Sequence, residues 1–371
     1  MEFHIIRNEL LNELQLMMGV IEKKNTMPIL ANVYIMAEDN RLVLKATDLE
    51  VGIISESPAQ VVESGEFTVN AKQLLDMLNT FTDNQVSFSM SEGSMLDLRC
   101  GQASFSIETM STLDFPSIPE SDFNGAFSLQ NGFFNSCIDK VLFSISADPH
   151  KYALNGALFN INQGSFSFVS TDGHRMSVVN KEMGPEFQDL DVILPRKTLI
   201  ELKKILGAEA EDEEFKIAFL ENRVLFKVGV RTLFSRLIDG KFPDYTKALP
   251  VDDGDAFVLD RKGMLSIIRR KLVLSSEKSK LVRFTFNPNE LVVVLRNSER
   301  GESIDKMEME YDGDVVDVGF NVEYIHDFLK NMDSEKVEIK VKDQGSQGIF
   351  KVPLDAYEIE YKHVIMPMRL G

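Results

Sequence analysis

The chain has 371 residues, of which 44% are hydrophobic, and a formal net charge of −18. This length fits two or three domains with cores of their own, and the acidic excess argues against a protein that coats nucleic acid with clustered Lys and Arg. Cys100 and Cys137 form no CxxC pair, which argues against a disulfide framework and a paired-cysteine zinc site. With no signal-peptide pattern and no apolar run of about 18 residues, we expect a soluble, cytoplasmic protein.

Apolar residues recur at the 3.6-residue helical spacing in six segments, in the order helix, strands, helix, strands, three times over. The predicted helices lie within residues 10–21, 74–81, 133–145, 199–206, 264–273 and 324–332. Alternating apolar residues predict strands at 41–46, 165–170, 215–219 and 336–341. The pattern predicts an α+β protein with two helices and two short antiparallel sheets in each repeat.

The repeat is also visible in the residues themselves. The segment 69–75 is echoed at 194–200 and again at 320–325, so that Lys72, Lys197 and Val322 lie 125 positions apart each time. Thr47-Asp48 matches Thr171-Asp172, with a degenerate third copy at 295–297, and residues 114–116 match 241–243. Three registers in the same order indicate three copies of one domain, which we place at 1–122, 123–250 and 251–371.

A catalytic site is not indicated. The sequence lacks a P-loop, GxGxxG, GxSxG and HExxH, and its five histidines are scattered. His174 and Asp172 could form a base and its orienting carboxylate, but two residues apart on a turn is a common chance spacing. An enzyme and a monomeric scaffold that binds peptides remain the alternatives to repeated domains that function through the shape they assemble.

The chain resembles the bacterial DNA polymerase sliding clamp family, the β subunit of the replicative polymerase, from end to end. The segments that carry the resemblance are TMPIL at 26–30, ATDLE at 46–50, LNG at 154–156, STDGHR at 170–175, VILPRK at 192–197, DGKFPDY at 239–245 and VIMPMRL at 364–370. The resemblance implies three clamp-fold domains in a head-to-tail homodimer, a ring around duplex DNA that tethers other enzymes without chemistry, cofactor or metal of its own.

The resemblance also implies a pocket for the short apolar peptides of partner proteins. Its apolar subsite would use Leu154, Thr171, Gly173, His174, Arg175, Met176, Pro243, Lys247, Val364 and Met366, and its neighbouring subsite Asn321, Tyr324, Ser346, Pro367, Met368 and Arg369. Flexible methionines suit a pocket that accepts several ligands. Taken alone, Asp172-Gly173 predicts only a polar hairpin, and the Met-rich tail only an edge strand.

Further sites follow from the resemblance. Loose phosphate contacts are expected from Arg7, Lys23, Lys24, Lys151, Arg196 and Lys197, although exposed Lys and Arg are often merely solvated. Tyr152 matches a family position that touches DNA at the edge of the ring. The dimer interface would join Phe105 and Ile107 of one subunit to Val273 and Leu274 of the other, four residues that could equally be core within one chain. The implied partners are DNA, the DNA polymerase III α subunit, the clamp loader, and other polymerases and repair proteins, with no membrane.

Overall fold

The computed structural model describes residues 1–21, 27–91, 94–119, 123–249, 255–332, 334–355 and 357–370. It forms two compact units. The first unit contains Met1–Asn135 and Lys197–Leu237, and the second contains Ser136–Arg196 and Ile238–Gly371. The middle repeat therefore contributes to both units.

Helices form in all six segments where the sequence predicts them. They are α1 Arg7–Met17, α2 Ala71–Thr80, α3 Asn131–Val141, α4 Arg196–Leu206, α5 Arg261–Leu274 and α6 Val322–Lys330. Three begin at a polar cap: Asn70, Asp260 and Asn321 each accept a hydrogen bond from a backbone N–H of the first turn. Their apolar stripes are buried, and no helix in the described part of the chain is long and apolar enough to cross a membrane.

The strands follow the repeat. The first repeat contributes β1 Glu2–Ile6, β2 Asn32–Glu38, β3 Arg41–Thr47, β4 Val51–Pro58, β5 Gln60–Glu63, β6 Gly65–Asn70, β7 Gln85–Ser91, β8 Met95–Cys100 and β9 Ala103–Glu108. The second contributes β10 Phe127–Gln130, β11 Gly156–Asn162, β12 Ser165–Thr171, β13 Arg175–Glu182, β14 Leu190–Pro195, β15 Glu214–Leu220, β16 Arg223–Val228 and β17 Arg231–Arg236. The third contributes β18 Asp255–Asp260, β19 Leu281–Asn287, β20 Glu290–Asn297, β21 Gly301–Glu308, β22 Val316–Asn321, β23 Lys336–Val341, β24 Gly348–Lys351 and β25 Glu360–Ile365.

The sheets of the first unit are antiparallel. One has five strands in the order β5-β1-β7-β8-β9, and the other has eight in the order β10-β15-β16-β17-β4-β3-β2-β6. The eight-stranded sheet is continuous because β4 of the first repeat pairs with β17 of the second, with Gly52 opposite Phe234. Gly52 is required there, since an added Cβ would lie 1.9 Å from the Phe234 ring.

The second unit repeats this plan. Its eight-stranded sheet has the order β14-β11-β12-β13-β25-β24-β23-β18, and its four-stranded sheet has the order β21-β20-β19-β22. Here β13 of the second repeat pairs with β25 of the third, with Met176 opposite Val364. The expectation of two separate short sheets in each repeat was therefore too simple, because halves of neighbouring repeats join into one longer sheet.

The same hairpin turn recurs in all three repeats. In the first, the Asp48 carboxylate accepts the backbone N–H groups of Glu50 and Val51 at 2.9 and 2.7 Å. In the second, Asp172 accepts those of His174 and Arg175 at 2.9 and 3.0 Å. In the third, the side-chain oxygen of Asn297 accepts those of Glu299 and Arg300 at 2.9 and 3.2 Å. The degenerate third copy thus keeps the device that closes the turn, because Asn offers the same oxygen as Asp.

Candidate binding cleft

An apolar cleft of about 210 Å³ lies in the second unit, between the β12–β13 hairpin, the connector that follows β17 and the end of β25. It is lined by Leu154, Thr171, Gly173, His174, Arg175, Met176, Phe242, Pro243, Asp244, Tyr245, Ala248, Gln347, Val364 and Met366. The cleft therefore has the size and lining of a site for apolar side chains.

The floor of the cleft belongs to a buried core cluster. Met176, Phe242 and Val364 line the cleft and pack with residues of β11, β12 and β14 that are at least nine-tenths buried. Leu154 and Tyr245 pack on the same cluster from its edge. Because the floor is fixed by close packing, the cleft exists without a ligand.

The hairpin wall is held by short polar contacts within the turn. The Thr171 hydroxyl donates to the Arg175 carbonyl at 2.7 Å and accepts the Gly173 N–H at 3.0 Å. Gly173 has φ of 93°, a conformation that favours glycine. The Met366 N–H donates to the His174 carbonyl at 2.9 Å, which fastens the chain after β25 to this wall. The polar hairpin predicted from Asp172-Gly173 is present, and it also lines the cleft.

Arg175 is engaged by the protein itself. Its Nε donates to Asp172 at 3.0 Å, and its two terminal nitrogens donate to Asp327 at 2.7 Å and to the Phe143 carbonyl at 2.5 Å. The side chain is only 11% exposed, and the guanidinium lies 4.3 Å from the centre of the Tyr324 ring. Arg175 therefore shapes the wall of the cleft through hydrogen bonds within the chain.

The structure brings together nine of the ten residues expected in the apolar subsite. The tenth, Lys247, does not line the cleft: its side chain is 82% exposed and pairs with Asp244 at 3.0 Å. The hydrogen bond from Thr246 contributes most to the lowered pKa of Asp244, and the pairing with Lys247 lowers that pKa further. Lys247 stands at an exposed position next to a lining residue, and its charge is balanced locally.

The residues of the neighbouring subsite lie in the same unit but outside the lining of the cleft. Asn321 caps α6 and accepts the Glu323 N–H, and the Ser346 hydroxyl donates to Asp343 at 2.8 Å. Burial raises the pKa of Tyr324, and the Asp172 charge adds to this effect. Pro367, Met368 and Arg369 follow β25, where the Met368 N–H donates to the Gly319 carbonyl at 2.7 Å.

Five lining residues were not predicted from the sequence. Phe242, Asp244 and Tyr245 lie in the segment 239–245 that carried the family resemblance, so a signal for them was available. Ala248 and Gln347 had no such signal. Gln347 precedes β24 and reaches the cleft only because β24 pairs with β25.

The residues expected to contact DNA differ in their exposure and in whether they bind another residue of the chain. Arg196 is exposed, and Tyr152 is 58% exposed. Arg7 instead donates to the carbonyls of Leu78 and Phe81 at the end of α2, and Lys151 donates to the Asp172 carbonyl at 2.8 Å. Lys197 pairs with the buried carboxylate of Asp48. Lys23 and Lys24 lie outside the described residues.

The four residues expected at the dimer interface also differ. Val273, near the end of α5, is 75% exposed, and Leu274 beside it is partly buried. Phe105 on the edge strand β9 is partly buried and lies 5.5 Å from the Phe81 ring. Ile107, at 5% exposure, belongs to the core of its own unit. Val273 is therefore the clearest surface position of the four.

The candidate acid–base pair and the two cysteines are placed as follows in the described ranges. Asp172 contacts His174 through the backbone N–H of His174, so the contact does not orient its imidazole. Among those residues no group of three His, Cys, Asp or Glu side chains could hold a metal ion. Cys100 and Cys137 are both buried and unpaired, and burial raises the pKa of each thiol.

Comparison with known proteins decides the family. Models of the N-terminal, central and C-terminal domains of the DNA polymerase III beta subunit match residues 1–119, 128–244 and 246–369. The chain belongs to the beta sliding clamp family. It is 32% identical to the beta sliding clamp of Pseudomonas aeruginosa over 372 residues and 30% identical to that of Escherichia coli K12 over 371, covering all of each chain. A crystal structure of the P. aeruginosa subunit matches along both full chains with a TM-score of 0.90 at 32% identity.

Membership of the clamp family settles the class of activity. The chain is a non-catalytic processivity factor of DNA replication, which encircles DNA as a homodimer and tethers the polymerase and other partners. A protein that holds DNA by topology needs few phosphate contacts, so a net charge of −18 is compatible with this role. The enzyme and the monomeric scaffold are thereby excluded as alternatives.

Proposed function

We propose that this clamp binds the short apolar peptides of its partners in the cleft of the second unit. The observation that carries the proposal is a preformed apolar cleft of about 210 Å³ with a partly exposed methionine, Met366, at its edge. The partners would be the DNA polymerase III α subunit, the clamp loader, and other DNA polymerases and repair proteins. All of them act in the cytoplasm of a bacterium, where we place this chain.

Two related structures were solved with bound molecules. A P. aeruginosa clamp with a TM-score of 0.91 was solved bound to griselimycin, and a Caulobacter crescentus clamp with PEG bound to a region assigned to beta-motif tethering. In this chain the apolar end of the peptide would enter the cleft, against Leu154, Met176 and Val364. The rest of the peptide would cross the neighbouring subsite defined above, where the exposed Arg369 offers a positive charge.

The test is Met366→Asp. Met366 is 45% exposed, so the fold tolerates a carboxylate there, but an apolar peptide side chain would have to desolvate the new charge. With a labelled peptide from the α subunit, we expect the Kd to rise at least about tenfold, or ~1.4 kcal/mol. Val258→Asp is the matched control, because Val258 is a 50% exposed apolar residue of the same unit outside the cleft lining. Unchanged affinity in Met366→Asp, or an equal loss in both variants, would contradict the cleft assignment.

We further propose that the two subunits join through β9 and β21. Two junctions within the chain follow one rule: the strand after the recurring turn pairs with the last strand of the next repeat. Strand β4 pairs with β17 in this way, and β13 pairs with β25. The third copy of the strand after the turn is β21, an unpaired sheet edge, and the first-repeat counterpart of β17 is β9, also an edge. Pairing β9 of one subunit with β21 of the next repeats the same junction a third time. Val273 and Leu274 of α5 would then meet Phe105 and Ile107 across it.

The DNA contacts remain part of this proposal. Arg196 and Tyr152 are free enough to reach the duplex, whereas Arg7, Lys151 and Lys197 each keep an intrachain partner. Lys23 and Lys24 complete the proposed set. Contacts of this kind would be loose and weakly dependent on sequence, because they go to phosphates. We retain domain boundaries at 1–122, 123–250 and 251–371.

A further inference from the structure

Arg175 joins two repeats through one guanidinium group. The hairpin that carries it belongs to the second repeat, and Asp327, which accepts its hydrogen bond at 2.7 Å, belongs to α6 of the third. The ring of Tyr324, one turn earlier on α6, covers the guanidinium at 4.3 Å. Helix α6 therefore supplies both a carboxylate and an aromatic face to a residue in the wall of the cleft.

A second line of contacts runs from the same helix to the same strand. The ring of Phe328 is stacked on His363 at 5.3 Å, with an interplanar angle of 11°. The Nδ1 atom of His363 lies 2.9 Å from the hydroxyl of Ser177, which follows Met176 of the cleft floor. Strand β13 is therefore linked to α6 through His363 of β25, by a ring contact and a hydrogen bond. The hairpin beyond it is held to α6 by Arg175 alone among these side chains.

We propose that Asp327 is a positioning residue for the cleft, through Arg175. Its carboxylate fixes the guanidinium so that the hairpin at 171–176 stands where a peptide can bind, while Asp327 itself lies outside the cleft lining. Without that charge, Arg175 keeps Asp172 and the Phe143 carbonyl, and both of these belong to the second repeat. The wall would then lose its charged tie to α6 of the third repeat, while its backbone pairing with β25 remains. This inference rests on the proposed peptide site.

The experiment compares Asp327→Asn, Asp327→Glu and Glu323→Gln in the full-length protein. Asn keeps the size of the side chain and removes the charge, whereas Glu keeps the charge. Glu323→Gln is the matched control, because Glu323 is also on α6 but pairs with Lys280 at 2.7 Å, and neither residue lines the cleft. Three quantities are measured: the Kd of the α-subunit peptide, hydrogen exchange of amides 171–176 without peptide, and the thermal midpoint.

For Asp327→Asn we expect the peptide Kd to rise about fivefold and exchange to accelerate at 171–176 only, with the thermal midpoint close to that of the wild type. Asp327→Glu should restore both values to within about twofold, and Glu323→Gln should match the wild type. Unchanged exchange at 171–176 in Asp327→Asn would overturn the positioning role. Acceleration across the whole unit would also overturn it, since it would show a general structural role.

The two proposals fail in different ways. If Met366→Asp leaves peptide affinity unchanged, the peptide binds elsewhere and the proposed site is wrong, but the exchange measurement still decides the role of Asp327 because it needs no peptide. If Met366→Asp abolishes binding while Asp327→Asn alters neither affinity nor exchange, the cleft stands and the positioning role of Asp327 falls.

Discussion

Single residues hold neighbouring repeats together through buried polar contacts. In the first unit Glu13 of α1 is 7% exposed and accepts two hydrogen bonds from Arg231 of β17, at 2.5 and 2.8 Å, and one from Ser55. Arg231 also pairs with Glu209 at 2.6 Å. The hydrogen bond to Glu13 contributes most to the raised pKa of Arg231. Removing one member would leave a buried charge without its partner, which costs far more than losing a surface pair.

We therefore expect Arg231→Met to lower the free energy of unfolding by about 3 kcal/mol in urea denaturation. Replacing both charges, with Glu13→Leu and Arg231→Met together, should recover much of the loss because no charge is then stranded at that pair. Arg41→Met is the matched control, since Arg41 and Glu56 form an exposed pair at 2.9 Å and should contribute less than ~1 kcal/mol. Equal costs for Arg231→Met and Arg41→Met would contradict this account.

His363 gives stability a specific dependence on pH. Burial lowers its pKa well below the ordinary value, and the Arg175 charge adds to the effect. The folded protein therefore keeps His363 neutral while the unfolded chain takes up a proton below about pH 6.5. Stability from this group is fully present above that pH and is lost as the pH falls toward the folded pKa.

The measurement is urea unfolding at pH 7.5 and pH 5.0 for the wild type and His363→Gln. Between these values the wild type should lose about 2 kcal/mol more than the variant, at ~1.4 kcal/mol per pH unit below 6.5. The variant removes the titration while keeping a polar group opposite Ser177. The same loss in both proteins would show that His363 does not titrate in this way.

At the scale of elements, periodicity was sufficient for the helices and insufficient for the sheets. Six apolar stripes predicted six helices, because residues at a 3.6-residue spacing fall on one face of a helix, and that face can then be buried. The pairing of β4 with β17 and of β13 with β25 could not be read from the chain, since alternation shows which face is buried and not which strand lies alongside. For the same reason Gln347 was not predicted as a cleft residue. Met366 and Arg175 were predicted because they lie in segments that resemble the clamp family.

The edge strands lead to a prediction about assembly. Aspartates in place of Val273 and Leu274 would put two charges into the proposed contact with Phe105 and Ile107 of the next subunit, where their desolvation is not repaid. We expect the double variant to sediment as a folded monomer of 41.9 kDa, against about twice that mass for the wild type. Val230→Asp is the control, because Val230 is 49% exposed outside this contact. A dimeric double variant would show that the interface lies elsewhere.

At the scale of the whole molecule, the acidic charge and the function of the clamp family fit together. A net charge of −18 opposes general attraction to phosphates, and several candidate basic residues are already occupied within the chain. Electrostatic binding to DNA would weaken steeply with salt. A closed ring, by contrast, is released only at a free end of the DNA or when a subunit interface of the ring opens. Processivity then depends on closure of the ring, and under our proposal partner choice would depend on the cleft.

The most direct test is retention on circular DNA. The wild-type protein is loaded by a bacterial clamp loader with ATP onto a nicked circular plasmid and washed in high salt, and half of the sample is then linearised; a known clamp serves as the loading control. The account predicts that the protein stays on the circle and is lost from the linear form. Equal retention on both forms, or loss from both while the control clamp is retained, would contradict a closed ring around DNA.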